Sequence, residues 1–142
     1  MTTTPPPRAA GKIRVNENWS MVLPGPFNQK IEDGTLVLWD DNLTIWIKSY
    51  GNTDALSKQA RVDREVANAD PAATEMIPVV AHGLGRCSYR LNEKGPAGVS
   101  REALYTYTHS DTGQLNVAFY SFDEKQIPRA RVIYASIEAE TP

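Results

Sequence analysis

Apolar and polar positions alternate with a period of two over much of this chain. The densest stretch is 34–51, GTLVLWDDNLTIWIKSYG. It reads as a β-hairpin: a strand over 35–39, a turn at Asp40-Asp41-Asn42, and a strand over 43–50. In the second strand Leu43, Ile45 and Ile47 share one side, and Thr44, Trp46, Lys48 and Tyr50 share the other. Leu36-Val37-Leu38-Trp39 is apolar on both sides, so the pattern predicts a sheet covered, at least in part, on both faces. Further on, 86–92 sets Cys87, Tyr89 and Leu91 against Arg86, Ser88 and Arg90. Strands over 102–108 and 115–122, joined by a turn at Ser110-Asp111-Thr112-Gly113, make a second hairpin. Residues 76–82 read as a short strand broken by Pro78, followed by a turn at Gly83-Leu84-Gly85. Residues 93–100, with two glycines and a proline, read as a loop.

Two stretches change period. From Asn52 or Thr53, either a plausible N-cap, to Ala69, one stripe collects Ala55, Gln59, Val62, Val66 and Ala69. The opposite side carries Lys58, Arg61, Asp63, Arg64, Glu65 and Asn68. This predicts an amphipathic helix, ended by Asp70-Pro71. Near the C-terminus Ala130, Ile133, Tyr134 and Ile137 follow helical spacing, Asp123 is placed to cap, and Pro128 suits a first turn. A second helix is expected there. Before the hairpin, Leu23-Pro24-Gly25-Pro26-Phe27 is unsuited to helix and is expected to be an extended edge segment that delivers Leu23 and Phe27 to the core. Residues 13–19 read as a first extended piece. Residues 1–12 carry three threonines and three prolines, which predicts a disordered tail before a single domain over 13–142.

A chain of 142 residues buries roughly 68–70% of its unfolded surface and needs no metal or disulfide to fold. Net charge is -2 with scattered Lys and Arg, so nucleic acid, which needs a concentrated basic face, is not an expected partner. The single cysteine, Cys87, excludes an internal disulfide and fits a reducing compartment. The N-terminus has no apolar core of a signal peptide, and no apolar run reaches membrane-spanning length. A cytoplasmic protein is the expectation.

The order LPGPF, LVLW, LTIWI, a helix, then CSYRLN, ALYTYT and QLNVAFYSF, closing on a helical A-x2-I-x3-I pattern, resembles small bacterial domains of the PsbP-like type. The resemblance spans most of the chain after about residue 16 and carries no functional motif. It implies an α+β fold: an antiparallel sheet of about five or six strands with helices on both faces, an α/β/α sandwich.

Candidates for chemistry are few. Cys87 and His82 are close enough in sequence to suggest a nucleophile pair, but Cys87 alternates with Tyr89 and Leu91 and reads as a core residue. His82, His109 and Asp111 lack metal-site spacing, and no metal or cofactor is expected. Gly83-Leu84-Gly85 lacks the lysine and following helix of a phosphate loop and reads as a turn. Asp40-Asp41 sits at a hairpin tip, where turn chemistry accounts for it. What remains is an aromatic and arginine set, Trp46, Tyr50, Arg86, Arg90, Tyr105 and Tyr107, of the kind enriched in interface hot spots. Packing of the tyrosines and Trp46 under a helix is the competing reading. The sequence therefore points to a non-catalytic protein-binding module, with an immunity protein against a bacterial toxin or a type VI or other secretion-system accessory protein as its expected kinds. The alternative is a small ligand-binding domain or enzyme with a pocket between sheet and helix.

Overall fold

The computed structural model describes residues 8–52 and 54–140. Its strands are β1 (Arg8–Arg14), β2 (Trp19–Glu32), β3 (Thr35–Trp39), β4 (Thr44–Gly51), β5 (Thr74–Ala81), β6 (Leu84–Lys94), β7 (Ser100–His109), β8 (Gly113–Ser121) and β9 (Glu138–Ala139), with helices α1 (Lys58–Asn68) and α2 (Ile127–Ala135). One antiparallel sheet runs β1-β2-β3-β4-β8-β7-β6-β5, and β9 pairs with the start of β2. Two of the connections, β2–β3 and β5–β6, are two-residue turns. Asp33-Gly34 and His82-Gly83 both have positive φ at both positions, the two-residue hairpin geometry whose twist matches the flanking strands.

This architecture overturns the expected α/β/α sandwich of five or six strands. Among the described residues there are nine strands and two α-helices, of eleven and nine residues. Each helix meets a limited stretch of sheet, α1 on β5, β6 and β7 and α2 on β2, β7 and β8, and neither builds a layer. The apolar character of Leu36–Trp39 on both sides, which suggested two helical layers, has another cause. Val37 sits in the row with Trp46, and Leu38 in the row with Ile45, so one side joins an aromatic surface and the other the core.

The core forms because β2 leaves the plane of the sheet. Its second half, 28–32, pairs with β3, while its first half pairs only with β1 and β9. Between them lie Pro24 and Pro26, which donate no ladder hydrogen bond, and a register shift in which residues 23–27 of β2 oppose only residues 9–11 of β1. The first half of β2 thus crosses the sheet and makes a trough, with α2 lying in it. Trp19, Met21, Leu23 and Phe27 close over Leu38, Ile45, Ile47, Leu104, Leu115, Val117 and Phe119, with Ile127, Ala130, Ile133 and Ile137 between. Leu23 and Phe27 reach the core as expected, although their segment is not at the edge; β1 is. Residues 8–12, expected in the tail, belong to β1, and 1–7 lie outside the described residues.

Helix α1 begins at Lys58 with Ser57 as N-cap, accepting from the Ala60 N–H at 3.1 Å. The helical stripe starts earlier in sequence, at Asn52 or at Thr53, which lies outside the described residues. The buried Arg61 holds the intervening segment as a loop: its guanidinium donates to the Leu56 carbonyl at 3.0 Å, to the Asp54 carbonyl at 3.1 Å, and to the side chains of Asn52 and Asp54. A charged group that is 4% exposed needs such partners, and the loop supplies them.

Candidate functional site

Register across the sheet decides which side chains meet. Trp46 pairs with Ala118 and Ala118 with Tyr105; Lys48 pairs with Asn116 and Asn116 with Tyr107; Tyr50 pairs with Gln114. Paired residues project on the same side, so Trp46, Lys48 and Tyr50 on β4 and Tyr105 and Tyr107 on β7 stand on either side of β8, whose own residues there are short or polar. The result is a channel along β8, with Ala118 and Asn116 as its floor. A depression of about 250 Å³ lies between these walls. At one end it continues past Tyr50 toward Gln114 and Arg64, and at the other past Trp46 toward Tyr120 and Arg101.

The tyrosines are braced. Tyr89 lies 5.5 Å from Tyr105 and 6.3 Å from Tyr107 between ring centroids, and Tyr120 meets Tyr105 edge-on at 5.8 Å. Tyr105 donates to the Glu93 carboxylate, the Tyr89 and Tyr107 hydroxyls are 3.4 Å apart, and the Arg101 guanidinium lies 3.8 Å from the Tyr120 ring centre. Burial, then the hydrogen bonds to Glu93 and Tyr89, push the Tyr105 and Tyr107 hydroxyls well above the ordinary tyrosine pKa. Both stay neutral in the physiological range.

Four of the six residues singled out from the sequence, Trp46, Tyr50, Tyr105 and Tyr107, therefore share this channel. Arg86 and Arg90 do not: they are in rows with Thr108 and Leu104, on the trough side of the sheet. Arg86 donates to the carbonyls of Tyr134, at 3.1 Å, and Ile137, tying down the end of α2. Arg90 bridges Glu75 at 2.9 Å and Glu102 at 3.0 Å. Alternation within β6 separates the arginines from Cys87 and Tyr89, but only pairing between strands shows that Tyr105 and Tyr107 stand on the cysteine side. The residues missed are Asn116 and Ala118, whose signal was the alternation in 114–120, where Gln114, Asn116, Ala118 and Tyr120 oppose Leu115, Val117 and Phe119. Lys48 is on the side of Trp46 and Tyr50 by the alternation of its own strand but stood outside the six.

The packing of α1 leaves the channel open. The helix covers Gly85, Cys87 and His109 at one end of this side of the sheet. A Cβ on Gly85 would stand 2.9 Å from Val62 Cγ2, so glycine is what lets the helix approach. Beneath it Cys87 is buried, its thiol pushed up to about 11 by burial and then by Glu65, with Met76 Sδ at 3.5 Å. His109 is 0% exposed, and among the described residues neither ring nitrogen has a hydrogen-bond partner. Its Nε2 lies 3.6 Å from Glu65 Oε1. Burial, then Arg61 and Arg64, hold its pKa down to about 4. His82 is exposed in the β5–β6 turn.

Among the described residues no three His, Cys, Asp or Glu side chains are placed to hold a metal. Asp40 is an anchor for structure: burial pushes its pKa up, but Arg129 and the N–H groups of Asn42 and Leu43 outweigh it and hold the carboxyl below the usual range. No described helix is long and apolar enough to cross a membrane.

No family model matches the chain, and no curated protein matches it. A crystal structure from Bacteroides thetaiotaomicron VPI-5482 is similar to it, with a TM-score of 0.72 and 14% identity. The match covers 94% of this chain and 50% of that one, so the chain spans about half the length of that neighbour. At this identity the likeness shows the fold alone.

Proposed function

We propose that the chain is a non-catalytic protein-binding module that docks its partner on the channel along β8. The observation that carries this reading is the open placement of Trp46, Tyr105 and Tyr107 beside Lys48, which joins no ion pair among the described residues. Aromatic side chains in a half-wet channel supply large contact area at low entropic cost, and Tyr105 and Tyr107 are braced by their neighbours. Tyr105 and Tyr107 are held neutral, and the nearby Glu93 carboxylate is engaged by the Tyr105 hydroxyl, which weighs against turnover. A cytoplasmic location is part of the same proposal, supported by the buried thiol Cys87. A toxin or a secretion component is the partner class proposed from the sequence.

The test is affinity capture with the wild-type chain and with Trp46→Ala/Tyr107→Ala, followed by calorimetric titration of the captured protein. A partner that binds the wild type and is lost by the double variant, with the melting transition retained, supports the reading. Equal binding by both removes the channel from it. A toxin or secretion component among the captured proteins would name the class.

A second reading, a small-ligand domain, draws on one observation. A depression of about 560 Å³ with mixed polar and apolar walls lies at the strand turns, lined among others by Asn18, His82, Arg86, Asp111, Ile137 and Glu140. A metabolite that raises the melting temperature of the wild type but not of His82→Ala would favour it.

A further inference from the structure

The width, charge and spacing of the channel specify what fits it, given that it is a docking surface as proposed above. Its walls rise from β4 and β7, two strand spacings apart, roughly 9–10 Å between backbones. An α-helix with its side chains is about 10–12 Å across and is too wide to lie between two aromatic walls. A single extended chain is narrow enough. The centre of the channel has one sign of charge. Among the described residues Lys48 is the only charged side chain lining the central depression. It is exposed, lies 5.5 Å from the Tyr50 ring centre, and takes part in none of the ion pairs of the described residues. Beside it Asn116 accepts from Gln114 Nε2 at 2.6 Å through its oxygen, which leaves its own amide N–H groups to donate.

The rows matter most. The apolar row Trp46–Ala118–Tyr105 and the polar row Lys48–Asn116–Tyr107 are two residues apart along their strands, about 6.6–6.8 Å. That is also the separation of side chains i and i+2 on one side of an extended ligand. We infer that the channel takes an extended peptide segment with an apolar or aromatic side chain two positions from an acidic one. The apolar side chain lies over Ala118 between Trp46 and Tyr105, the carboxylate meets Lys48, and the Asn116 amide donates to a ligand carbonyl. A nucleic-acid strand would need more than one unpaired cation along its path. A neutral sugar chain could stack on the aromatic walls but has no use for Lys48.

Fluorescence polarisation with labelled synthetic heptapeptides tests this. One probe carries Trp-Thr-Glu and one Glu-Thr-Trp at its centre, so that both chain directions are sampled. The controls carry Trp-Thr-Lys, Trp-Glu-Thr and Ala-Thr-Glu, and neutral cellohexaose serves as competitor. At low salt at least one of the two probes is expected to bind at least fivefold tighter than each control. Lys48→Glu is expected to reverse the preference toward the lysine peptide, and Trp46→Ala to remove binding of every probe. Equal affinity for the acidic and lysine peptides, or for the adjacent and alternate spacings, overturns the inference. So does cellohexaose displacing the probes with the same Trp46 dependence, or the absence of peptide binding. In those cases loss of a captured protein partner by Trp46→Ala/Tyr107→Ala still upholds the docking surface. Retention of that partner by the double variant removes both.

Discussion

The two sides of the sheet are made by the same strands and meet water differently. On the trough side Ile45, Leu104 and Phe119 are 0% exposed, closed over by the first half of β2 and by α2. On the other side Trp46, Tyr105, Tyr107 and Tyr120 are only half-buried, and α1 covers one end. Aliphatic and phenylalanine side chains have no polar atom to leave in solvent, so their surface drives closure at roughly 25 cal/mol per Å². Tyrosine and tryptophan each keep a polar tip, and here the tyrosine hydroxyls find Glu93 or one another. One alternating pattern thus yields a sealed core and an open aromatic surface, and the side-chain chemistry selects which side is closed.

The sharpest way to break this comparison is to open the trough. Phe119→Ala is expected to cost about 3–5 kcal/mol by chemical denaturation. A loss below about 1 kcal/mol would mean the trough is not the core.

The next effect concerns the covered end of the aromatic side. His109 faces Glu65, Arg61 and Arg64 from the helix, Asp54 from the loop, and Cys87, Tyr107 and Gln114 from the sheet. Its pKa lies at about 4 in the folded chain against an ordinary value near 6.5. The unfolded chain therefore takes up this proton first. Full stability is present above pH 6.5 and is lost as the pH falls toward 4, by on the order of 3 kcal/mol. Glu65 acts in the opposite sense, because burial raises its pKa and its protonation favours the folded state. Asp40 and Glu140, held below their usual range, titrate lower. Denaturation of the wild type and of His109→Gln at pH 7, 5.5 and 4.5 separates these groups. The wild type should lose more stability than the variant across that window, and parallel losses would refute the assignment.

A smaller effect tests how α1 is seated. Gly85→Ala places a methyl group 2.9 Å from Val62 Cγ2 and 3.2 Å from the Lys58 carbonyl, so the helix must shift, at a cost of about 1–3 kcal/mol. Faster thiol labelling of Cys87 in this variant would report the lifted helix; unchanged stability and labelling would show that the contact is slack. The smallest expected effect is on the open wall. Lys48→Ala should change stability by no more than about 0.5 kcal/mol, as at other exposed positions without packing duties. A larger loss would show that Lys48 supports the fold rather than a ligand.

Much of the strand content was legible because it is local. The hairpin at 34–51, the strands around Tyr89, Tyr105 and Val117, and the C-terminal helix follow from period and turn residues that act within a few positions. The start of α1 was misplaced because Arg61 draws Asn52 and Asp54 into its own hydrogen-bond shell, which the helical stripe does not record. Pro78, read as breaking a short strand, sits within the exposed edge strand β5, where its missing N–H does no harm. Arg86 and Arg90 were grouped with the aromatic residues because alternation assigns sides within a strand but not between strands.

The sequence by itself determined which residues alternate, where the chain turns, that Cys87 and Ile45 belong inside, and that two stretches are helical. Tertiary structure decided the rest. The bend of β2 at Pro24 and Pro26 converts a flat set of strands into a trough that one nine-residue helix can fill, so no second layer is needed. Register across β4, β8 and β7 brings Trp46, Lys48, Tyr105 and Tyr107 to one channel and sends Arg86 and Arg90 to the opposite side. Register is a property of pairs of strands far apart in sequence, and a shift of one residue would turn every one of these side chains over.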